Sequence, residues 1–164
     1  MSNMPIDFKP PPKPIVVVGI GNTLKGDDGA GPKLIELLAS AAPALAAQFI
    51  DAGITPENYI GKIIKLGPAT IFLADAIDFG GQPGEIKQFA PGQIKDYGFT
   101  THSPGLNMFF ELIQSEVGSK NHPANVIIIG IQPKQANLGQ ALSSEIEAAI
   151  ANLAKEIVKC MKSD

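Results

Sequence analysis

The chain has 164 residues, 45% of them hydrophobic and 18% charged, which excludes a disordered chain and suits one domain with a buried core. A net charge of −3 without a basic stripe excludes the electrostatic footprint of a nucleic-acid or anionic-membrane binder. The lone cysteine, Cys160, excludes a disulfide framework or a cysteine-rich zinc site and suits the reducing cytoplasm, and no apolar run reaches the roughly 18 residues of a membrane span.

Met1 to Pro14 is a proline-rich lead-in that lacks the apolar core of a secretory signal. It is expected to be flexible and to stand outside the fold, leaving 15–164 as a single α/β domain. Ile15 to Gly19 (IVVVG) then reads as a buried strand, and Ala30 to Ala42 as a helix with Pro32 in its first turn. Gln48 to Asp51 is a second strand, followed by a short helix started near Pro56 and Glu57. Ala69 to Ala74 (ATIFLA) is apolar enough for a central strand. Glu85 to Phe89 alternates polar and apolar, as an antiparallel edge strand does. Ser103 and Pro104 open a helix whose apolar face is Leu106, Phe109, Phe110, Ile113 and Val117. Asn125 to Ile131 (NVIIIGI) is another buried strand. The last helix begins at Ser144 with Glu147 as a capping box. Strands alternating with helices predict a three-layer α/β sandwich, with a mainly parallel twisted sheet of about five strands and helices on both faces.

In such sheets reactive side chains collect beyond the carboxyl ends of the strands. There the sequence puts Asp27 and Asp28 after the first strand, Asp51 after the second, Asp75 and Asp78 after the third, and His102 before a helix. Asp28, Asp75 and His102 make an oxygen, oxygen, nitrogen donor set for zinc, nickel or another divalent ion. Each also has a plainer role: a helix cap for Asp27 or Asp28, a turn for Asp75, surface exposure for His102. Asp51 and Asp78 read as turn residues, His122 as exposed, and Cys160 as a packing residue. Gly26 and Gly29 would let a large partner approach the loop closely. Gly19-Ile20-Gly21 starts a dinucleotide fingerprint. The third glycine position holds Leu24, however, and the paired aspartates would repel a pyrophosphate. No G-x-S-x-G, H-E-x-x-H or Walker A pattern occurs.

The segment Val18 to Pro32, VGIGNTLKGDDGAGP, resembles the opening signature of the nickel–iron hydrogenase maturation endopeptidases. The likeness continues through Ile50-Asp51-Ala52-Gly53, Pro56-Glu57-Asn58, Ala74-Asp75-Ala76, Pro83-Gly84-Glu85-Ile86, Thr100-Thr101-His102 and Gly130-Ile131-Gln132-Pro133. Its wording is most similar to the branch serving formate-linked hydrogenases. The resemblance implies a cytoplasmic, monomeric endopeptidase that removes the C-terminal extension from the precursor of a hydrogenase large subunit. It implies Asp28, Asp75 and His102 as ligands and catalytic residues around nickel brought by that substrate. Asp27 stays open as an alternative to Asp28. A non-catalytic nickel-sensing module or chaperone for the same precursor is the competing function.

Overall fold

Runs of β-branched residues separated by amphipathic segments assemble one sheet with a helical layer on each side. A computed structural model describes residues 10–93, 104–116 and 124–163, with the side chains of 104–108 left aside. The strands are β1 (Ile15–Ile20), β2 (Phe49–Gly53), β3 (Thr70–Ala76), β4 (Ile86–Phe89) and β5 (Asn125–Ile131). They lie in the order β2-β1-β3-β5-β4. Every neighbouring pair is parallel except β4–β5, so β4 is the antiparallel edge strand that its alternation predicts. The helices are α1 (Ala30–Ala41), α2 (Ile60–Leu66), α3 (Pro104–Glu116) and α4 (Ser144–Lys162).

Alternation along each strand divides the core between the two faces. On one, Ile15, Val17, Phe72 and Ile129 pack with Leu34 and Leu38 of α1 and Ile150, Leu153 and Ile157 of α4. On the other, Val16, Val18, Leu73 and Ile128 pack with Ile63 of α2 and Phe109 and Ile113 of α3. This is the three-layer α/β architecture. Two glycines bring α1 unusually close to the sheet: a Cβ on Gly19 would lie 2.4 Å from the Gly31 carbonyl oxygen, and one on Gly31 would lie 2.3 Å from that of Ile20. The first turn of α1 therefore rests directly on the carboxyl end of β1. Among the described residues no helix is long and apolar enough to cross a membrane.

Several local expectations change. A 3₁₀ helix, Pro43–Gln48, fills the connection after α1, because Pro43 has no N–H with which to continue the helix. β3 runs on through Ala76, paired with Gly130 and Ile131, so Asp75 sits inside the strand rather than after it. The capping box at Ser144 and Glu147 does not form. Ser143 is the N-cap residue of α4, yet its side chain makes no cap hydrogen bond, and the Ser144 hydroxyl donates to Glu145 Oε2 at 3.2 Å. The end of the lead-in is tied to the sheet: Thr70 Oγ1 donates to the Pro12 carbonyl at 2.8 Å, and the Thr70 N–H to that of Pro14 at 3.1 Å. Residues 1–9, and with them most of the lead-in, lie outside the described residues, as do Ser103, Val117 and His122.

Candidate active site at the carboxyl rim of the sheet

β1 ends in a loop that folds back on itself. Gly21 has φ +147°, and a Cβ there would come within 1.9 Å of the Asp28 carbonyl oxygen, so only glycine lets the two stretches of this loop touch. Asn22 Oδ1 accepts from the Leu24 N–H at 2.9 Å, an Asx-type turn that reverses the chain. The 3₁₀ turn Gly26–Gly29 follows and leads straight into α1. Gly26 and Gly29 are both buried. A Cβ on Gly26 would meet the Gln135 carbonyl oxygen at 2.9 Å, and one on Gly29 would meet Thr23 Cα at 3.0 Å. These glycines pack the loop against the protein itself, which corrects the expectation that they clear space for a partner.

The adjacent aspartates of this turn have opposite surroundings. Asp27 is 0% exposed and both of its oxygens are engaged. Oδ1 accepts from the Ser143 N–H at 2.7 Å. Oδ2 accepts from the Ser143 hydroxyl at 2.7 Å, the Lys134 N–H at 2.9 Å and the Gln135 N–H at 3.0 Å. Burial alone would raise the pKa of this carboxyl, but the bonds from Ser143, Gln135 and Lys134 together outweigh it and hold the pKa below the usual aspartate value. The Ser143 hydroxyl is thus given to Asp27, which is why it does not cap α4. Asp28, half-buried, receives among the described residues the Asn22 N–H on Oδ2, at 3.0 Å.

Asp75 is 1% exposed and pairs in register with Gly130 of β5. The 3₁₀ turn that carries Asp28 packs against β3, so the first two predicted ligands belong to touching elements. His102 lies outside the described residues, two positions before α3 begins at Pro104. Among the described residues, no group of three histidine, cysteine, aspartate or glutamate side chains could hold a metal ion.

The loop after β3 is held by a residue that the sequence named only within a block of the resemblance, without a role. Gln132, 6% exposed and directly after β5, accepts on Oε1 from the N–H groups of Phe79 at 2.9 Å and Gly81 at 3.0 Å. Its Nε2 donates to Asp78 Oδ1 at 3.0 Å. That bond, aided by the Gly80 N–H at 3.1 Å, keeps the Asp78 carboxyl below its usual pKa. The available signal was a glutamine ahead of a proline at the very end of an apolar strand. Asp51 is exposed, and its Oδ1 accepts from the Gly53 N–H at 3.0 Å, a turn role as expected. Cys160 is buried in the α1–α4 layer, and burial pushes its thiol pKa up, which fits packing rather than reactivity.

Fold and rim together define a three-layer α/β protein with buried acidic side chains gathered where the parallel strands end. Comparison with known proteins gives the family. A hydrogenase maturation protease family model matches residues 32–160. The hydrogenase 3 maturation protease of Escherichia coli K12 is 37% identical over 136 residues, covering 82% of this chain and 83% of that protein. The crystal structure of a [NiFe] hydrogenase maturation protease, HycI, from Thermococcus kodakarensis superposes with a TM-score of 0.80 at 30% identity, over 91% of this chain and 92% of that one. The solution structure of the endopeptidase HycI from Escherichia coli gives 0.70 at 32% identity, over 87% and 88%. The chain belongs to the hydrogenase maturation protease family.

Proposed function

We propose that this protease removes the C-terminal extension of a nickel-loaded [NiFe] hydrogenase large-subunit precursor in the cytoplasm. Asp28, Asp75 and His102 bind the nickel that the substrate carries. The observation that carries the ligand choice in the first loop is the contrast within the aspartate pair. Asp27 spends both oxygens on four donors and is sealed from solvent, whereas Asp28 is half-buried and, among the described residues, accepts from the Asn22 N–H. Support for Asp75 comes from its place near the carboxyl end of a central strand, against the turn that bears Asp28.

In this reading the nickel docks the precursor and brings the scissile peptide to the rim. A metal ion there polarises the carbonyl or acidifies a bound water. The buried thiol of Cys160 lies in the layer under α1 and α4 and takes no part. The test incubates the purified protein with nickel-loaded and nickel-free precursor and follows the released peptide by mass spectrometry. Cleavage of the loaded form alone is expected. Asp28→Asn, Asp75→Asn and His102→Ala should each lower processing by about a hundredfold or more, the usual scale for losing a group that the transition state needs. Equal cleavage of both precursor forms removes nickel as the signal, and wild-type rates in the variants remove the site.

A further inference from the structure

Building on the reading of Asp28 as a nickel ligand, we propose that Asp27 is the positioning residue of this site, a lock that fixes the loop presenting Asp28 onto the segment from Lys134 to Ser143. The donors that close on its carboxylate come from three residues more than a hundred positions further along the chain. Backbone bonds zip the same two segments together: Asp27 N–H to the Gln135 carbonyl at 2.9 Å, Gly26 N–H to that of Gln140 at 3.1 Å, and Gly139 N–H to that of Leu24 at 2.8 Å.

A carboxylate can only accept, and hydrogen bonds weaken steeply with misalignment. One placement of the loop satisfies all four donors together. Any shift of the turn by about 1 Å lengthens several of these bonds at once. Asp28 is the next residue, so its backbone inherits that placement, and from the other side Gly21 presses against its carbonyl oxygen. The Asp28 backbone is clamped between the two. The neighbouring ammonium, Lys134 Nζ, gives its hydrogen bond to Glu145 at 2.7 Å, and its charge acts on Asp27 only through space. A site held this way is already in its binding geometry when the precursor arrives, and binding need not pay to order the loop. Ser143 is the second half of the device: it offers both its N–H and its hydroxyl, and forgoes the cap of its own helix to do so.

The test uses the full chain and nickel-loaded precursor, with Asp27→Asn, Ser143→Ala and Asp28→Asn assayed in parallel. Asparagine is nearly isosteric but points an NH2 at hydrogen-bond donors, so it opens the lock without emptying the space. A loosened loop populates the competent geometry for only part of the time, and apparent affinity falls by that fraction. KM should rise about tenfold for Asp27→Asn and about threefold for Ser143→Ala, with kcat within about twofold of wild type. Amide hydrogen exchange at Lys134, Gln135 and Ser143 should quicken in both. Unchanged KM in both variants, with only a lower melting temperature, would overturn the proposal, since that is the mark of a purely structural residue. A collapse of kcat at unchanged KM would also overturn it, by putting Asp27 in the chemistry. Loss of processing in Asp28→Asn beside unchanged KM in the other two sinks the lock and spares the ligand. Wild-type processing by Asp28→Asn sinks the ligand assignment and the lock together.

Discussion

Two loops at the same rim are held by buried polar side chains, and they are held differently. The loop from Asn22 to Gly29 is fixed by its own anion, Asp27, whose partners on the far segment are all donors. The loop from Asp78 to Gly81 is fixed from outside by a neutral carboxamide, Gln132, which accepts from two N–H groups and donates to a carboxylate. A buried anion is tolerable only where several donors converge on it, which makes the first loop stiff and particular about its geometry. An amide has both polarities, so part of its bonding survives most disturbances. The loop that bears Asp28 has the stricter of the two fixings.

The sharpest way to break this comparison is to delete the anion. Asp27→Ala leaves the buried Ser143 N–H and the part-buried Lys134 and Gln135 N–H groups without their acceptor, and a buried group costs about 1–3 kcal/mol when unpaired. A total loss of about 2–4 kcal/mol in urea unfolding is expected, the scale of one buried and two part-buried donors left unpaired. The acid limb sharpens the point. The pKa of Asp27 is lowered in the folded state, so its contribution is present above the unfolded-state value of about 4 and fades as pH falls through the folded one. Wild type should therefore lose stability in that window, and Asp27→Ala should lose less. Identical acid slopes in the two proteins would show that the anion is not what fixes the loop.

A smaller effect is expected at the other loop. Gln132→Glu keeps the acceptor for Phe79 and Gly81 but sets a carboxylate 3.0 Å from Asp78 Oδ1 in place of a donor. Asp78 is exposed and water screens part of the repulsion, so a loss of about 1–2 kcal/mol is expected in the same assay. Adding Asp78→Asn exchanges donor and acceptor across the pair and should recover most of that loss, as coupled neighbours do. A double variant no more stable than Gln132→Glu alone would mean that the two side chains do not act as a pair.

How much of this was legible in the sequence follows from the kind of interaction involved. Helices were readable because a buried face imposes a period, and central strands because burial on both faces demands an unbroken apolar run: Val16 and Val18 face one layer, Ile15 and Val17 the other, and β5 spans the same residues in both readings. The edge strand was readable from its alternation. What a long-range polar bond decides was not readable. The local signal, Glu147 three residues after Ser144, pointed to a capping box that does not form, and the neighbouring Ser143 is bound instead to an aspartate 116 positions earlier. Likewise Asp27 and Asp28 are chemically identical in the sequence, and only the segment from Lys134 to Ser143 separates them. Gly26 was visible as a special residue, but the carbonyl of Gln135 that requires it was not. His102 was readable as a residue ahead of a helix, and it lies outside the described residues.

The smallest expected effect isolates backbone from side chain within the lock. Lys134 gives Asp27 its N–H, while its ammonium group makes an ion pair with Glu145 at 2.7 Å, with both side chains substantially exposed. The hydrogen bond and the opposite charge raise the Lys134 pKa and lower that of Glu145. Exposed pairs of this kind are screened by solvent and held by side chains that are costly to order. Glu145→Gln removes the charge and leaves the N–H to Asp27 untouched, so the unfolding midpoint and the KM for precursor should both match wild type. A rise in KM comparable to that of Ser143→Ala would mean that the ion pair, and not the backbone alone, sets where the segment lies. The strictness of the first loop would then rest on the surface of the protein as well as on its buried anion.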